Sequence, residues 1–212
     1  VYKRQFELTS RTSDQKGHGA LEYILFNDTL THTCAAAIPV TQSWNALSET
    51  DRKTKRCTYG KLLAADITLA SEAVNLAWKA DFSNYRADFI ASGSTGENKH
   101  ALSDALINMM DKQAKDKKIS YPVGIQAACT AISCPDQTES KYSETSFENV
   151  KNNVQSFIDV YKGGTGSGFD DLITKAGFAS TAESIETSAQ AVITAIDNNS
   201  GTSIYDQATS IN

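Results

Sequence analysis

The chain has 212 residues, 40% of them hydrophobic and 21% charged, enough apolar content for one large core or two modest ones, which excludes a disordered polypeptide. A net charge of -5 and a pI near 5.2 exclude a basic nucleic-acid-binding module, because such modules gather Lys and Arg on one face. No run reaches the roughly 18 apolar residues that a spanning helix needs, so no transmembrane segment is expected.

The opening Val1-Tyr2-Lys3-Arg4-Gln5 carries neither a Met start nor the apolar core of a signal peptide, and residues 1–16 read as a leader or partial amino-terminal region with sequence missing upstream. A short helix is predicted from Gly19 to Asp28, followed by a long connection from Thr29 to Thr50. From Asp51 to Ala80, Tyr59, Leu62, Leu63, Ile67, Ala70, Val74, Ala77 and Trp78 recur at three- and four-residue steps, which predicts one long helix with an inward stripe. Ser48 and Asp51 supply its start, with acid in the first turn. A short helix from Ser83 to Ala91 is followed by a longer one from about Lys99 to Lys117, with Leu102, Leu106, Met109 and Met110 inward.

A second long connection, 119–144, contains two of the three prolines and separates the helical groups, so it is the predicted junction between a first bundle, 17–118, and a second, 145–212. Thr145 with Glu148 predicts a capping box for a helix that turns Val150, Val154, Phe157, Ile158 and Tyr161 inward and stops at Gly163-Gly164. After a short helix from Phe169 to Ala176, Ser180 with Glu183 predicts the same device for a helix carrying Ile185, Ala189, Val192, Ile193 and Ile196. No stretch alternates cleanly between hairpin turns, so the predicted fold class is all-α, helical bundles joined by long loops.

The four cysteines have no Cys-x-x-Cys spacing and no neighbouring His, which favours disulfides over structural zinc. Cys34 with Cys57 and Cys129 with Cys134 would each close one loop-rich segment, although four cysteines permit three pairings and also four reduced core thiols. An oxidised pair would imply a periplasmic or extracellular compartment.

Three segments carry candidate chemistry. His18 and Glu22 stand four residues apart at a helix start, on one face, and offer a nitrogen and an oxygen to a metal ion, which the resemblance described below implies to be iron or another divalent metal; the alternative is an exposed His beside a Glu that meets a local donor. Glu139, Ser140, Tyr142, Ser143 and Ser146 precede a helix whose first N–H groups suit an anion or carboxylate; alternatively, residues 143–148 simply cap that helix. Asp170 and Asp171 follow the glycine-rich run 163–168, which lacks the Lys-Ser/Thr pair of a nucleotide loop, and they serve either a ligand or the first turn of the next helix.

In order and spacing, several blocks of this chain resemble the imelysin-like family of exported, iron-regulated bacterial proteins. Residues 17–26 resemble the family's glycine-to-glutamate helix start, Arg56-Cys57-Thr58-Tyr59 through Trp78 its following long helix, and 115–124 its lysine-rich helix end and proline-glycine loop. Glu139-Ser140-Lys141-Tyr142-Ser143-Glu144-Thr145-Ser146 is similar to its Glu-Ser-x-Tyr-Ser-x-x-Ser segment, and Gly168-Phe169-Asp170-Asp171 to its Gly-Phe-Asp-Asp turn. The resemblance implies two helical bundles with a ligand cleft between them, further helices beyond the amino terminus and the carboxyl terminus, a periplasmic or surface location with a possible lipid anchor to the outer membrane, and a non-catalytic role in iron uptake through a small ligand, metal or haem. The family's metal motif is G-x-H-x-x-E. Aligning Gly17 and Glu22 places Gly19 at the motif's histidine and His18 at a variable position, which argues against the alternative role, a metallopeptidase.

Overall fold

The computed structural model describes residues 8, 11–12, 15–32, 39–91, 95–199 and 201–211. It divides into two compact units, Val1–Ser94 and Thr95–Asn212. Among the described residues every regular element is helical, as an all-α fold requires. The break falls before α5, so the predicted junction 119–144 lies within the second unit.

In the first unit, α1 (Gly17–Phe26), α2 (Pro39–Asn45), α3 (Glu49–Trp78) and α4 (Tyr85–Ile90) follow in order. Gly17 opens α1 at φ 83°, a left-handed conformation that disfavours any residue with a Cβ. Ser48 caps α3 as predicted, its hydroxyl accepting from the Asp51 N–H at 3.1 Å. α1 packs on α3 where Gly60 lets the helices close: a Cβ there would stand 3.3 Å from Ile24 Cγ2.

The inward stripe predicted for α3 holds only over its first half. Leu63 is fully buried, whereas Val74 and Trp78 in the second half are exposed at 62% and 41%; Leu62, in the first half, departs from this at 37%. Length explains this: ten residues of α1 cover about 15 Å, whereas the thirty of α3 run about 45 Å. At the far end, Trp78 gathers an aromatic cluster with Tyr85 at 5.1 Å and Phe89 at 5.5 Å between ring centroids.

In the second unit, α5 (Thr95–Asn108) runs without a cap into a π-helical stretch, Met109–Ser120. A single 3₁₀ turn (Pro135–Gln137) then leads to α6 (Ser146–Lys162), α7 (Phe169–Lys175), α8 (Ala179–Asn198) and α9 (Ile204–Ser210). The core joins Val150, Val154 and Ile158 of α6 to Ala189 and Ile193 of α8 and Ile204 of α9. Each large aliphatic side chain in it contributes about 1.5–3 kcal/mol by leaving water. Val192, predicted inward, is instead 37% exposed, and Ala182 takes a core place at 6%.

Neither predicted capping box forms. Thr145 makes no side-chain cap, and α8 begins at Ala179 with Phe178 as its uncapped N-cap. A box unforeseen from the sequence does form at α9, where Ser203 and Asp206 bond reciprocally. Gly163 stops α6 at φ 68°, as predicted.

Cys129 and Cys134 form the predicted disulfide, with Cα atoms 5.8 Å apart. It closes a loop whose base is buried: Pro122 and Ser133 are almost wholly covered, and the Ser133 hydroxyl donates to the Ala208 carbonyl at 2.5 Å. Cys57 carries an exposed thiol, and its expected partner Cys34 lies outside the described residues.

Candidate functional site

The segment from Thr138 to Asn149 is a polar surface of the second unit held by several side-chain hydrogen bonds. Ser140 and Glu144 both take left-handed backbone conformations at φ 58°, which cost of order 1 kcal/mol each for non-glycine residues and persist only where surrounding contacts enforce them. Those contacts are visible. The Ser146 hydroxyl, 1% exposed, reaches back to the Glu139 carbonyl instead of capping its own helix. The Asn149 amide donates to the Ser140 hydroxyl at 2.9 Å, and the Ser143 and Thr145 hydroxyls share a hydrogen bond at 2.9 Å.

Charge surrounds this turn. Lys118, at the end of the π-helical stretch, meets Glu139 at 2.5 Å with only 11% of its side chain exposed, while Glu139 itself is half exposed. Lys141 pairs with Asp136 at 2.9 Å and lies over the rings of Tyr142 and Tyr205. Burial works to lower the Lys141 pKa, but the hydrogen bond to Asp136 and the nearby tyrosines raise it on balance. The Thr138 hydroxyl is buried without a hydrogen-bond partner at the inner edge of the turn. The surface thus offers hydroxyls, the carboxylates of Glu139, Glu144 and Glu148, and the ammonium groups of Lys118 and Lys141, each paired with an acid. Such groups can hold a polar ligand.

Of the residues singled out from the sequence, Glu139, Ser140, Tyr142, Ser143 and Ser146 come together here. Asp170 and Asp171 do not join them: they follow the carboxyl end of α6, about 25 Å of helix away from Ser146. Asp171 serves the first turn of α7, accepting from the Gly168 N–H at 3.1 Å. One oxygen of Asp170 is buried without a partner, and Tyr161 nearby is pushed above its ordinary pKa by burial, then by Asp170 and Glu186. Lys118, Asn149 and Thr138 escaped the sequence reading. Lys118 was hidden in a lysine run, and Asn149 contributes from the second turn of α6, a distance that no local motif encodes.

His18 and Glu22 lie on α1 of the first unit. His18 is exposed and faces a hollow shared with Lys16, Asp66 and Ser71; Glu22 is half-buried. Among the described residues no three His, Cys, Asp or Glu converge as a metal site would require, and in this hollow Lys16 offsets the charge of Asp66. The described residues therefore do not fit the metal that the motif's full form implies. At Gly19 a Cβ would meet nothing within 4 Å, so the chain leaves room for a side chain it lacks.

Two helical units, with polar groups concentrated at a loop-to-helix junction of the second, define an all-α protein of the helical-bundle class. The chain belongs to the imelysin family, whose model, which bears a peptidase name, matches residues 3–209. Neither a curated protein nor a solved structure matches it at a significant level.

Proposed function

We propose that this is an exported, non-catalytic binding protein associated with iron acquisition, taking up metal or haem, and that the 138–149 turn of the second unit is its ligand surface. The observation that carries the reading is the pair of left-handed, non-glycine residues Ser140 and Glu144, in a turn tied down by Ser146 and Asn149 within the segment that resembles the family's Glu-Ser-x-Tyr-Ser-x-x-Ser motif. Export is supported by family kinship and by the Cys129–Cys134 disulfide, which belongs to an oxidising compartment. A binding role is favoured over peptide hydrolysis because Gly19 stands where the family motif has its histidine, so the Glu22 carboxylate lacks an imidazole at the motif's position three residues before it.

Calorimetric titration of the purified protein with ferrous iron, ferric iron, zinc and haemin tests this, run beside a casein digestion with and without chelator. The reading expects saturable binding of iron or haem at micromolar concentration, weakened by Glu139→Gln and Ser146→Ala, and no cleavage. Chelator-sensitive cleavage, or no binding of any of the four, would overturn it in favour of the peptidase reading or of neither.

A further inference from the structure

The first unit holds a cavity of about 560 Å³ between α1, α2 and α3, lined by Ile24, Trp44, Lys55, Arg56, Tyr59 and Leu62, together with Thr58. Its volume falls in the range of small-molecule sites, which are apolar with a few convergent polar groups. Three of its walls are locked before any ligand arrives. The Trp44 indole N–H donates to the Leu30 carbonyl at 2.8 Å, the Tyr59 hydroxyl donates to the Gln15 carbonyl, and the Arg56 guanidinium donates to the Tyr23 carbonyl at 2.8 Å. A pocket with walls already fixed loses little conformational freedom on binding.

Its charge is one-sided. Lys55 and Arg56 are cations and no lining residue is a carboxylate. Arg56 bonds only to backbone carbonyls, and among the described residues no acidic side chain pairs with either. The neighbouring cavity of about 650 Å³, which shares Arg56, differs in this respect: Asp28 and Glu49 line it beside Lys53 and Lys61. Aromatic and aliphatic walls with two carboxylate-free cations are complementary to an apolar body that carries an anion.

We propose that this cavity binds a small amphipathic carboxylate, an aromatic or aliphatic body seated against Trp44, Tyr59, Ile24 and Leu62 with its carboxylate toward Lys55 and Arg56. The site is separate from the 138–149 turn, and either proposal stands if the other fails.

The test uses the full chain carrying Trp78→Phe, so that Trp44 is the only tryptophan, and follows quenching of its emission by 1-pyrenebutyrate and by the uncharged 1-pyrenebutanol. Saturable one-to-one binding is expected, with the carboxylate favoured by about fivefold, the scale of one partly exposed ion pair. Lys55→Gln removes most of that preference, Leu62→Glu weakens both probes by about tenfold or more by placing a charge in the apolar wall, and Lys117→Gln in the second unit, the same loss of charge elsewhere, changes nothing. Equal affinity for the two probes, no saturation, or a preference that survives Lys55→Gln overturns the proposal. If circular dichroism shows that Leu62→Glu has lost helix, the comparison of Lys55→Gln with Lys117→Gln decides alone.

Discussion

Gly168→Ala is expected to destabilise the second unit by about 3 kcal/mol, at the upper end of the cost of overpacking, and the structure gives the reason atom by atom. A Cβ at this position would stand 2.2 Å from the Tyr161 carbonyl oxygen and 2.4 Å from the Lys162 carbonyl carbon, both backbone atoms of the last turn of α6, and 2.5 Å from Asp170 Oδ1. Backbone cannot swing aside as a flexible side chain can, so the 163–168 loop must lift off α6. Its φ of -98° is open to any residue, so the whole cost is steric. Gly164 is the internal control: its φ of 61° is left-handed but a Cβ there meets nothing within 4 Å. Gly164→Ala therefore costs only the conformational strain, about 1 kcal/mol once the reduced freedom of the unfolded chain is counted. Urea unfolding followed by circular dichroism reads both, with the midpoint shifting at constant slope. If Gly168→Ala costs no more than Gly164→Ala, the close seating of the glycine loop on α6 is wrong.

Further outcomes follow from other parts of the structure. Gly19→His rebuilds G-x-H-x-x-E in open space on α1, and calorimetry is expected to show zinc or iron affinity in excess of the parent protein; no gain would mean that Glu22 does not face the same side as residue 19. Thiol counting under denaturing, non-reducing conditions should find at most two reactive thiols of four, and four would rule out the Cys129–Cys134 bond. Replacing both of these cysteines by serine is expected to cost about 2 kcal/mol, small because the closed loop is short. Hydrogen bonds from Lys115 and Lys112 hold the Asp111 carboxyl down at about 2, below its ordinary value of 3.8. A carboxyl whose folded pKa is depressed stabilises the fold above its unfolded pKa and loses that contribution as pH falls toward 2. The carboxyl carbon of Asp111 should accordingly titrate near 2 at low salt and move toward 3.8 in molar salt, and a midpoint already near 3.8 at low salt would refute the pairing.

Much of the fold was legible because it rests on local periodicity. The inward faces of α6 and α8 and the glycine stop at Gly163 come from spacing that one helix satisfies alone. What escaped depends on partners distant in sequence. The exposed second half of α3 carries the same apolar spacing as its covered half, and only the ten-residue length of α1 separates them. The expected capping box at Thr145 failed because Ser146, one residue later, turns its hydroxyl to Glu139 and draws the chain into a left-handed turn. The candidate site was half legible: its hydroxyl run lies in one segment, whereas Lys118 arrives from the π-helical stretch and Asn149 from further along α6. Trp44 and its cavity lay within what the sequence presents as a long connection, where α2 forms instead.

The central claim, that the 138–149 turn is the ligand surface of an iron- or haem-binding protein, is tested most directly by mapping amide chemical shifts of the labelled protein during titration with haemin and, separately, with zinc as a diamagnetic stand-in for iron. The account predicts that saturating shifts cluster on residues 138–149 and on Lys118, and that Ser146→Ala weakens the titration. Saturating shifts confined to residues 17–22, or none at any concentration of either probe, would contradict it.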